Sequence, residues 1–179
     1  RVVSLIGYTN AGKSTLFNSL TRAGVEVENR LFSTLDPITR RVRLNDTLTV
    51  LLTDTVGFIQ KLPPTVVDSF RATLEELDQS DLLLHIVDIS HRNATQQVTE
   101  VERTLNTLGL NEKPRILVLN KVDLIWKSPN LINPREFQFP SSFRPIFVSA
   151  DKNWGLKQVR TEIAKTIKSF PESSNVIWV

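Results

Sequence analysis

The residues with the clearest chemistry lie at positions 7–14, where the chain matches the pattern G-x-x-x-x-G-K-[ST]. An apolar run precedes this segment and a helix-forming run follows it, which is the order that a phosphate-binding loop needs. Glycine backbones can turn successive N–H groups toward one anion, and the helix N-terminus adds further donors. Lys13 would then face the β- and γ-phosphates, and Ser14 would offer Mg²⁺ an oxygen ligand. The alternative is a glycine-rich turn before an ordinary helix.

A second group follows the third predicted strand, where Asp54 and Gly57 form a D-x-x-G pattern. A carboxylate at a strand end can hold Mg²⁺ through a water molecule, and the N–H of Gly57 can contact the γ-phosphate. Thr34, in a long polar loop, could complete the magnesium shell, with Ser33 as the rival hydroxyl. Ordinary turn residues are the alternative at each of these positions.

A third group indicates which base the nucleotide carries. The carboxylate of Asp123 can accept two hydrogen bonds from guanine, whereas adenine would leave it buried and unpaired. Asn120 could bridge the base edge and the phosphate-binding loop, and the aliphatic stem of Lys121 could lie over the base. Small residues at Ser149 and Ala150, after the last strand, would let backbone N–H groups approach the guanine oxygen. A polar turn after a strand is the alternative for Asn120–Asp123.

These three groups define the predicted site. The predicted catalytic residues are Lys13, Thr34 and Gly57, and the predicted metal ligands are Ser14, Thr34 and Asp54. The predicted nucleotide-binding residues are Gly7, Tyr8, Thr9, Asn10, Ala11, Gly12, Lys13, Ser14, Thr15, Asp54, Thr55, Val56, Gly57, Asn120, Lys121, Val122, Asp123, Ser149 and Ala150. The predicted ligands are GTP or GDP with Mg²⁺.

Strand and helix patterns alternate along the chain, which predicts an α/β fold with a mainly parallel sheet of about six strands and helices on both faces. The predicted strands are Val2–Ile6, Ile38–Leu44, Leu48–Thr53, Asp81–Asp88, Arg115–Leu119 and Pro145–Val148. The predicted helices are Lys13–Leu20, Thr65–Gln79, Ala94–Leu108 and Leu156–Phe170. Thr21–Pro37 reads as a long functional loop, and Trp126–Phe143 as a loop with one short helix. His85 lies inside a buried strand and is expected to be a core histidine.

The composition is that of a globular domain, with 179 residues, 40% of them apolar, 23% charged, and a net charge of +3. No cysteine is present, which excludes a disulfide framework and a zinc–thiolate site. No apolar run approaches the roughly 20 residues that would span a bilayer. The chain also lacks methionine, so we expect one domain cut from a longer protein. Residues 1–170 are predicted to form that domain, followed by a tail or truncated segment at 171–179.

The full set of motifs resembles the guanine-nucleotide motifs of translation-factor-class GTPases, and within that class the chain resembles the HflX family. The matching stretches are residues 7–18, 32–37, 54–59, 62–63 and 70–76. The phosphate-loop residues Tyr8–Ala11 and the stretch from Phe58 to Glu76 are what single out HflX. The resemblance implies a P-loop NTPase with a Ras-like G domain, whose mobile switches are Asn29–Pro37 and Thr55–Pro64.

The resemblance also implies partners. It implies a GTP hydrolase that binds the large ribosomal subunit and its rRNA, splits or rescues ribosomes, and carries a separate N-terminal domain. We expect a monomer in the cytoplasm, or in an organelle with its own ribosomes. The alternative is a nucleotide-gated switch module in signalling or in RNA or ribosome assembly. The basic cluster Arg40, Arg41 and Arg43 fits either an rRNA contact or a solvated hairpin face.

Two residues bear on the rate of hydrolysis. Phe58 follows the D-x-x-G pattern where Ras-like GTPases have a water-orienting glutamine, and its ring can neither donate nor accept a hydrogen bond. We therefore expect slow intrinsic turnover. Asn10 resembles the asparagine of potassium-activated GTPases, which makes K⁺ a second candidate cofactor. The alternative is that Asn10 only tolerates a tight turn.

Overall fold

A single sheet organises the computed structural model, which describes residues 1–21, 38–55, 77–133, 137, 139 and 144–171. The strands are β1 (Val2–Ile6), β2 (Ile38–Arg43), β3 (Thr49–Asp54), β4 (Leu82–Asp88), β5 (Arg115–Asn120) and β6 (Ile146–Phe147). They form a six-stranded sheet in the order β2-β3-β1-β4-β5-β6. β2 runs antiparallel to β3, and all the other neighbours are parallel. The predicted α/β class with a mainly parallel sheet is confirmed.

The strand register brings the ends of the central strands to one edge of the sheet. Leu5 in β1 pairs with Asp54 in β3, and Asp88 in β4 pairs with Asn120 in β5. The strand order reverses at β1, with β3 on one side and β4 on the other. Ligands of open parallel sheets bind outside the carboxyl ends of the strands at such a reversal. The loop after β1 therefore occupies the expected binding position.

Helices cover both faces of this sheet. They are α1 (Lys13–Thr21), α2 (Ala94–Thr107) and α3 (Leu156–Lys168). On one face, Leu16 of α1 and Val159 of α3 belong to one buried cluster with alternate residues of the strands. On the opposite face, Val98 and Val101 of α2 belong to clusters with the remaining strand residues. Successive side chains along a strand point to opposite faces of the sheet, which explains why the strand residues divide between the clusters on the two faces.

The pattern of α2 explains how the helix lies on the sheet. Its buried residues include Val98, Val101 and Leu105, spaced three and four apart, which places them on one helix face. The helix is followed by Gly109, whose φ of 72° lies in the left-handed region that glycine favours after a helix. In β4, by contrast, six successive residues from Leu82 to Val87 are buried, as expected for a central strand covered on both faces.

Most of the predicted boundaries differ from the observed ones by one or two residues. Asp54 and Asn120 were predicted within motifs that follow their strands, but each is the last residue of its strand. Asp54 pairs with both β1 and β2, so the ladder continues through it. β6 has only two residues where four were predicted. His85 is buried, with 1% of its surface exposed, which agrees with a core histidine.

Some predicted elements lie partly outside the described residues. Of the helix predicted at Thr65–Gln79, only residues 77–79 are described, and they are helical. In the loop predicted at Trp126–Phe143, the described part contains one short 3₁₀ helix at Pro129–Leu131. Among the described residues, no helix combines the length and the apolar character that crossing a membrane would require.

Candidate functional site

The loop between β1 and α1 has a backbone conformation that most residue types could not adopt. Gly7, Asn10 and Gly12 have φ values of 145°, 62° and 91°. A Cβ atom on Gly7 would lie 2.1 Å from the carbonyl oxygen of Ile86, and one on Gly12 would lie 2.3 Å from Nδ2 of Asn120. The two glycines are therefore required both by conformation and by close approach to neighbouring residues. The loop is packed directly against the ends of β4 and β5.

Lys13 begins α1 and points back across this loop. Its Nζ donates to the carbonyl oxygens of Gly7 at 3.2 Å and Tyr8 at 3.0 Å, and only 7% of the residue is exposed. Burial lowers the pKa of the Lys13 ammonium to about 8, although the carboxylate of Asp54 acts in the opposite direction. The lysine is thus a partly desolvated cation held at the end of β1, where it can attract an anion more strongly than a solvated one.

Two predicted metal ligands lie side by side. Ser14 Oγ donates to Oδ2 of Asp54 at 2.6 Å, and Asp54 is fully buried at the end of β3. A hydroxyl and a carboxylate are hard oxygen ligands of the kind that Mg²⁺ prefers, usually together with water and substrate phosphates. The donor set therefore fits Mg²⁺. The third predicted ligand, Thr34, lies outside the described residues.

The D-x-x-G segment is described only in its first half. The hydroxyl of Thr55 donates to the carbonyl oxygen of Leu5, and 1% of Thr55 is exposed. The side chain of Thr55 therefore joins β1 to the end of β3, where the segment begins. The other predicted residues of this segment, Val56 and Gly57, lie outside the described residues, as does Phe58.

Asn120 links the three parts of the site. Its Nδ2 donates to the carbonyl oxygen of Ala11 at 3.0 Å, and its Oδ1 accepts from the backbone N–H of Ala150 at 3.0 Å. Ser19 of α1 donates to the Ala150 carbonyl oxygen at 2.9 Å. One buried amide therefore joins the loop after β1 to the loop after β6. This agrees with the predicted bridge to the phosphate-binding loop and adds the second connection.

Lys121 follows Asn120 in the left-handed conformation, with φ of 65°. Its Nζ lies 2.7 Å from Oδ2 of Asp88, at the end of β4. A Cβ atom on Gly12 would lie 3.9 Å from Cε of Lys121, so the stem passes beside the phosphate-binding loop. Asp88 was not among the predicted site residues. Its position at the end of an apolar strand, like that of Asp54, is the signal that would have found it.

Asp123 lies in the short 3₁₀ helix Val122–Leu124. Val122 is buried, and its N–H donates to the carbonyl oxygen of Val148 at 3.2 Å, which fixes this turn against the end of β6. Asp123 itself is half-buried, and its carboxylate has no hydrogen-bond partner in the described parts of the chain. An acceptor of this kind can receive paired N–H donors from a ligand.

The loop after β6 is held by its own hydrogen bonds. Ser149 and Trp154 exchange backbone bonds of 2.9 and 3.2 Å, and Ser149 Oγ accepts from the N–H of Lys152 at 3.0 Å. The N–H groups of Ser149 and Ala150 thus both have partners within the protein. A ligand oxygen at this loop would have to share the Ala150 donor with Asn120.

A cleft of about 380 Å³ opens beside the phosphate-binding loop. Thr9 and Asn10 line one wall, and the segment between β4 and α2 lines the other, with His91, Arg92 and Asn93. Asn10 is exposed. Its positive φ already favours asparagine over most residues, because asparagine tolerates the left-handed region.

The chain is similar to known proteins in both sequence and fold. The model of the family described as 50S ribosome-binding GTPase matches residues 2–121. The chain is 44% identical over 178 residues to GTPase HflX of Caldanaerobacter subterraneus subsp. tengcongensis, covering 99% of this chain and 39% of that protein. The chain belongs to the HflX family of GTPases. The HflX protein of Escherichia coli K12 is 41% identical over 157 residues, covering 88% of this chain and 36% of that protein.

These HflX relatives are longer than the chain, which spans about two fifths of their length. Among solved structures, a GTP-binding protein of the archaeon Sulfolobus solfataricus in complex with GDP is 30% identical, with a TM-score of 0.70 over 93% of this chain and 52% of that one. NFeoB of S. thermophilus, bound to GDP·AlF4⁻ and K⁺, is 23% identical with a TM-score of 0.69 over 91% of this chain and 60% of that one. The second likeness is one of fold alone. The predicted family, fold class and GTPase class are confirmed.

Proposed function

We propose that this chain binds and hydrolyses GTP within a protein that acts on the large ribosomal subunit, where it splits or rescues ribosomes. We further propose that residues 1–170 form the G domain. The protein works in the cytoplasm as a monomer. Membership of the HflX family supports this function, together with the family description as a 50S ribosome-binding GTPase.

The observation that carries the proposal is the double hydrogen bond of Asn120. It joins the loop after β1, which would hold phosphates, to the loop after β6, which would face the base. A site divided in this way fits a molecule with phosphates at one end and a base at the other. Asp123 lies three residues beyond Asn120, the last residue of β5, and selects guanine through paired N–H donors, which adenine lacks.

In the proposed reaction, Lys13 binds the β- and γ-phosphates and stabilises the charge that develops as the γ-phosphoryl group leaves. Ser14, Asp54 and Thr34 would hold Mg²⁺, which when bound neutralises charge on the phosphate oxygens. The N–H of Gly57 contacts the γ-phosphate. Because Phe58 has no group that could orient a water molecule, turnover without a partner is slow.

A potassium ion is a second proposed cofactor. The amide oxygen of Asn10 would help to hold it beside the phosphates, where an added positive charge would compensate for the missing glutamine. The exposed position of Asn10 beside the cleft supports this proposal. The left-handed backbone at Asn10 offers a competing explanation for the same residue, so the ion needs its own test.

Co-sedimentation with ribosomal subunits tests the ribosomal part of the proposal. The protein, loaded with a non-hydrolysable GTP analogue or with GDP, is centrifuged with separated small and large subunits. We expect it to pellet with the large subunit and more strongly in the GTP-analogue state. Nucleotide binding without any subunit association in either state would instead favour a switch module with other partners.

A further inference from the structure

Tyr8 connects the phosphate-binding loop to helix α2. Its hydroxyl donates to Oε2 of Glu100, and the second carboxylate oxygen of Glu100 accepts from Nε2 of Gln96 at 3.3 Å. Gln96 and Glu100 are four residues apart on α2, so they lie on the same helix face. The loop is thus attached through a side chain to an element that supplies none of the predicted site residues.

The same tyrosine holds Lys13 through its backbone. The carbonyl oxygen of Tyr8 accepts from Nζ of Lys13 at 3.0 Å and from the N–H of Ala11 at 3.3 Å. The hydroxyl and the carbonyl belong to one residue, so fixing the ring restricts the peptide that receives the lysine. A continuous chain of contacts therefore runs from Glu100 through Tyr8 to Lys13.

The ring of Tyr8 is also packed. It lies against a buried cluster that includes Ile6 of β1, Leu83 of β4, and Val101 and Leu105 of α2. Burial and the neighbouring Glu100 carboxylate raise the pKa of the Tyr8 hydroxyl above its ordinary value, so it remains a donor across the physiological range. A packed ring with a persistent hydrogen bond at its tip has little freedom to rotate.

We propose that Glu100 is a positioning residue for nucleotide binding: through Tyr8 it fixes the carbonyl oxygen that orients the Lys13 ammonium toward the phosphates. The inference rests on the proposed nucleotide site. Its consequence is that contacts on α2 influence the phosphate end of the nucleotide and leave the base end unchanged. If the contact served only to attach α2 to the sheet, its loss would lower stability without changing nucleotide affinity.

The test compares Tyr8→Phe, Glu100→Ala and the double variant with the native chain. Titrations with GDP and GTP measure affinity, and IDP reports on the base end, since inosine lacks guanine's exocyclic amine. A hydrogen bond contributes about 0.5–1.5 kcal/mol net, which corresponds to roughly 2- to 12-fold in affinity. We expect each single variant to lose GDP and GTP affinity within that range, with an unchanged ratio of GDP to IDP affinity.

Two further variants sharpen the result. The double variant should lose no more nucleotide affinity than the weaker-binding single variant, because both changes remove the same contact. Glu100→Gln keeps an acceptor for the hydroxyl and should restore most of the affinity. Glu112→Ala is the matched control, since Glu112 is exposed and lies beyond α2.

The proposal is overturned if Tyr8→Phe and Glu100→Ala fold and bind GDP and GTP as the native chain does. Additive losses in the double variant, or a changed ratio of GDP to IDP affinity, would also overturn it. Failure of the native chain to bind either guanine nucleotide is a different result, because it removes the proposed nucleotide site itself.

Discussion

Asn120 and Ala11 are joined by a hydrogen bond of 3.0 Å between side chain and backbone, although 109 positions separate them in the chain. The other side of the same amide accepts from Ala150. Asn120 is 2% exposed, so water cannot readily replace either bond. This residue therefore sets the distance between the two loops that the nucleotide would contact.

Replacing Asn120 with aspartate tests this role with little change in shape. The carboxylate could still accept from Ala150, but it would face the Ala11 carbonyl oxygen with no donor. An unsatisfied buried group costs about 1–3 kcal/mol, so we expect Asn120→Asp to lower the free energy of unfolding by that amount and to weaken GDP binding. Urea denaturation and GDP titration measure the two effects. Asn130→Asp, at an exposed position, is the control, and equal behaviour of the two variants would contradict the assigned role.

His85 predicts a pH dependence of stability. Burial lowers the pKa of this core histidine, although Glu102 of α2, at 3.7 Å, acts to raise it, and Arg115 of β5 acts to lower it. Below pH 6.5, approximately the ordinary pKa of histidine, the unfolded chain takes up a proton that the folded chain does not. The free energy of unfolding should therefore decrease as the pH is lowered below about 6.5, with a slope of up to about 1.4 kcal/mol per pH unit.

The comparison variant is His85→Gln, which removes the titrating ring. Although burial acts to raise the pKa of the Glu102 carboxyl, His85 and Arg115 hold it below its ordinary value, so Glu102 should stay ionised between pH 5 and about 6.5. Measuring the free energy of unfolding of both proteins over that pH interval isolates the contribution of the histidine. If the free energy of unfolding changed with pH by the same slope in both proteins, His85 would not be buried in its neutral form.

Much of this site could be predicted because its residues occur in short motifs of neighbouring positions. The glycines around Lys13 and the turn at Asp123 follow a strand, Asp54 ends one, and parallel strands end at one edge of the sheet. Partners from distant elements could not be predicted in the same way. Glu100 lies within an amphipathic helix pattern that gives no reason to single it out, and its contact with Tyr8 depends on how α2 lies on the sheet.

Phe58 predicts slow hydrolysis by the chain alone. We expect turnover far below the roughly 1–100 s⁻¹ that is typical of kinases, since the Phe58 ring cannot orient the attacking water. Phe58→Ala should change turnover much less than Lys13→Ala, which removes the cation that we propose faces the phosphates. Single-turnover phosphate release, with nucleotide affinity measured in parallel, compares the variants. Complete loss of turnover in Phe58→Ala with intact affinity would assign the ring a catalytic role.

Asn10 predicts a dependence on potassium. Because its φ is 62°, alanine at this position would be strained, so Asn10→Gly is the better variant: it keeps the backbone and removes only the amide. We expect faster hydrolysis in potassium than in sodium for the native chain, and no difference for Asn10→Gly. Matched chloride buffers of equal ionic strength give the comparison. The ion is excluded as a cofactor if the native rates are equal, and Asn10 is excluded as its ligand if the potassium effect survives in the variant.

We propose that this chain is a guanine-specific GTPase domain, and the nucleotide preference of Asp123→Asn measures this specificity most directly. The amide should weaken the binding of GTP and favour the binding of XTP, because it can donate to the additional carbonyl of xanthine. Titration and hydrolysis with GTP and XTP are measured for the native chain, for Asp123→Asn, and for Asp46→Asn in the exposed β2–β3 turn as control. We predict that only Asp123→Asn reverses its nucleotide preference from GTP to XTP. An unchanged preference for GTP in that variant would contradict the proposed guanine specificity.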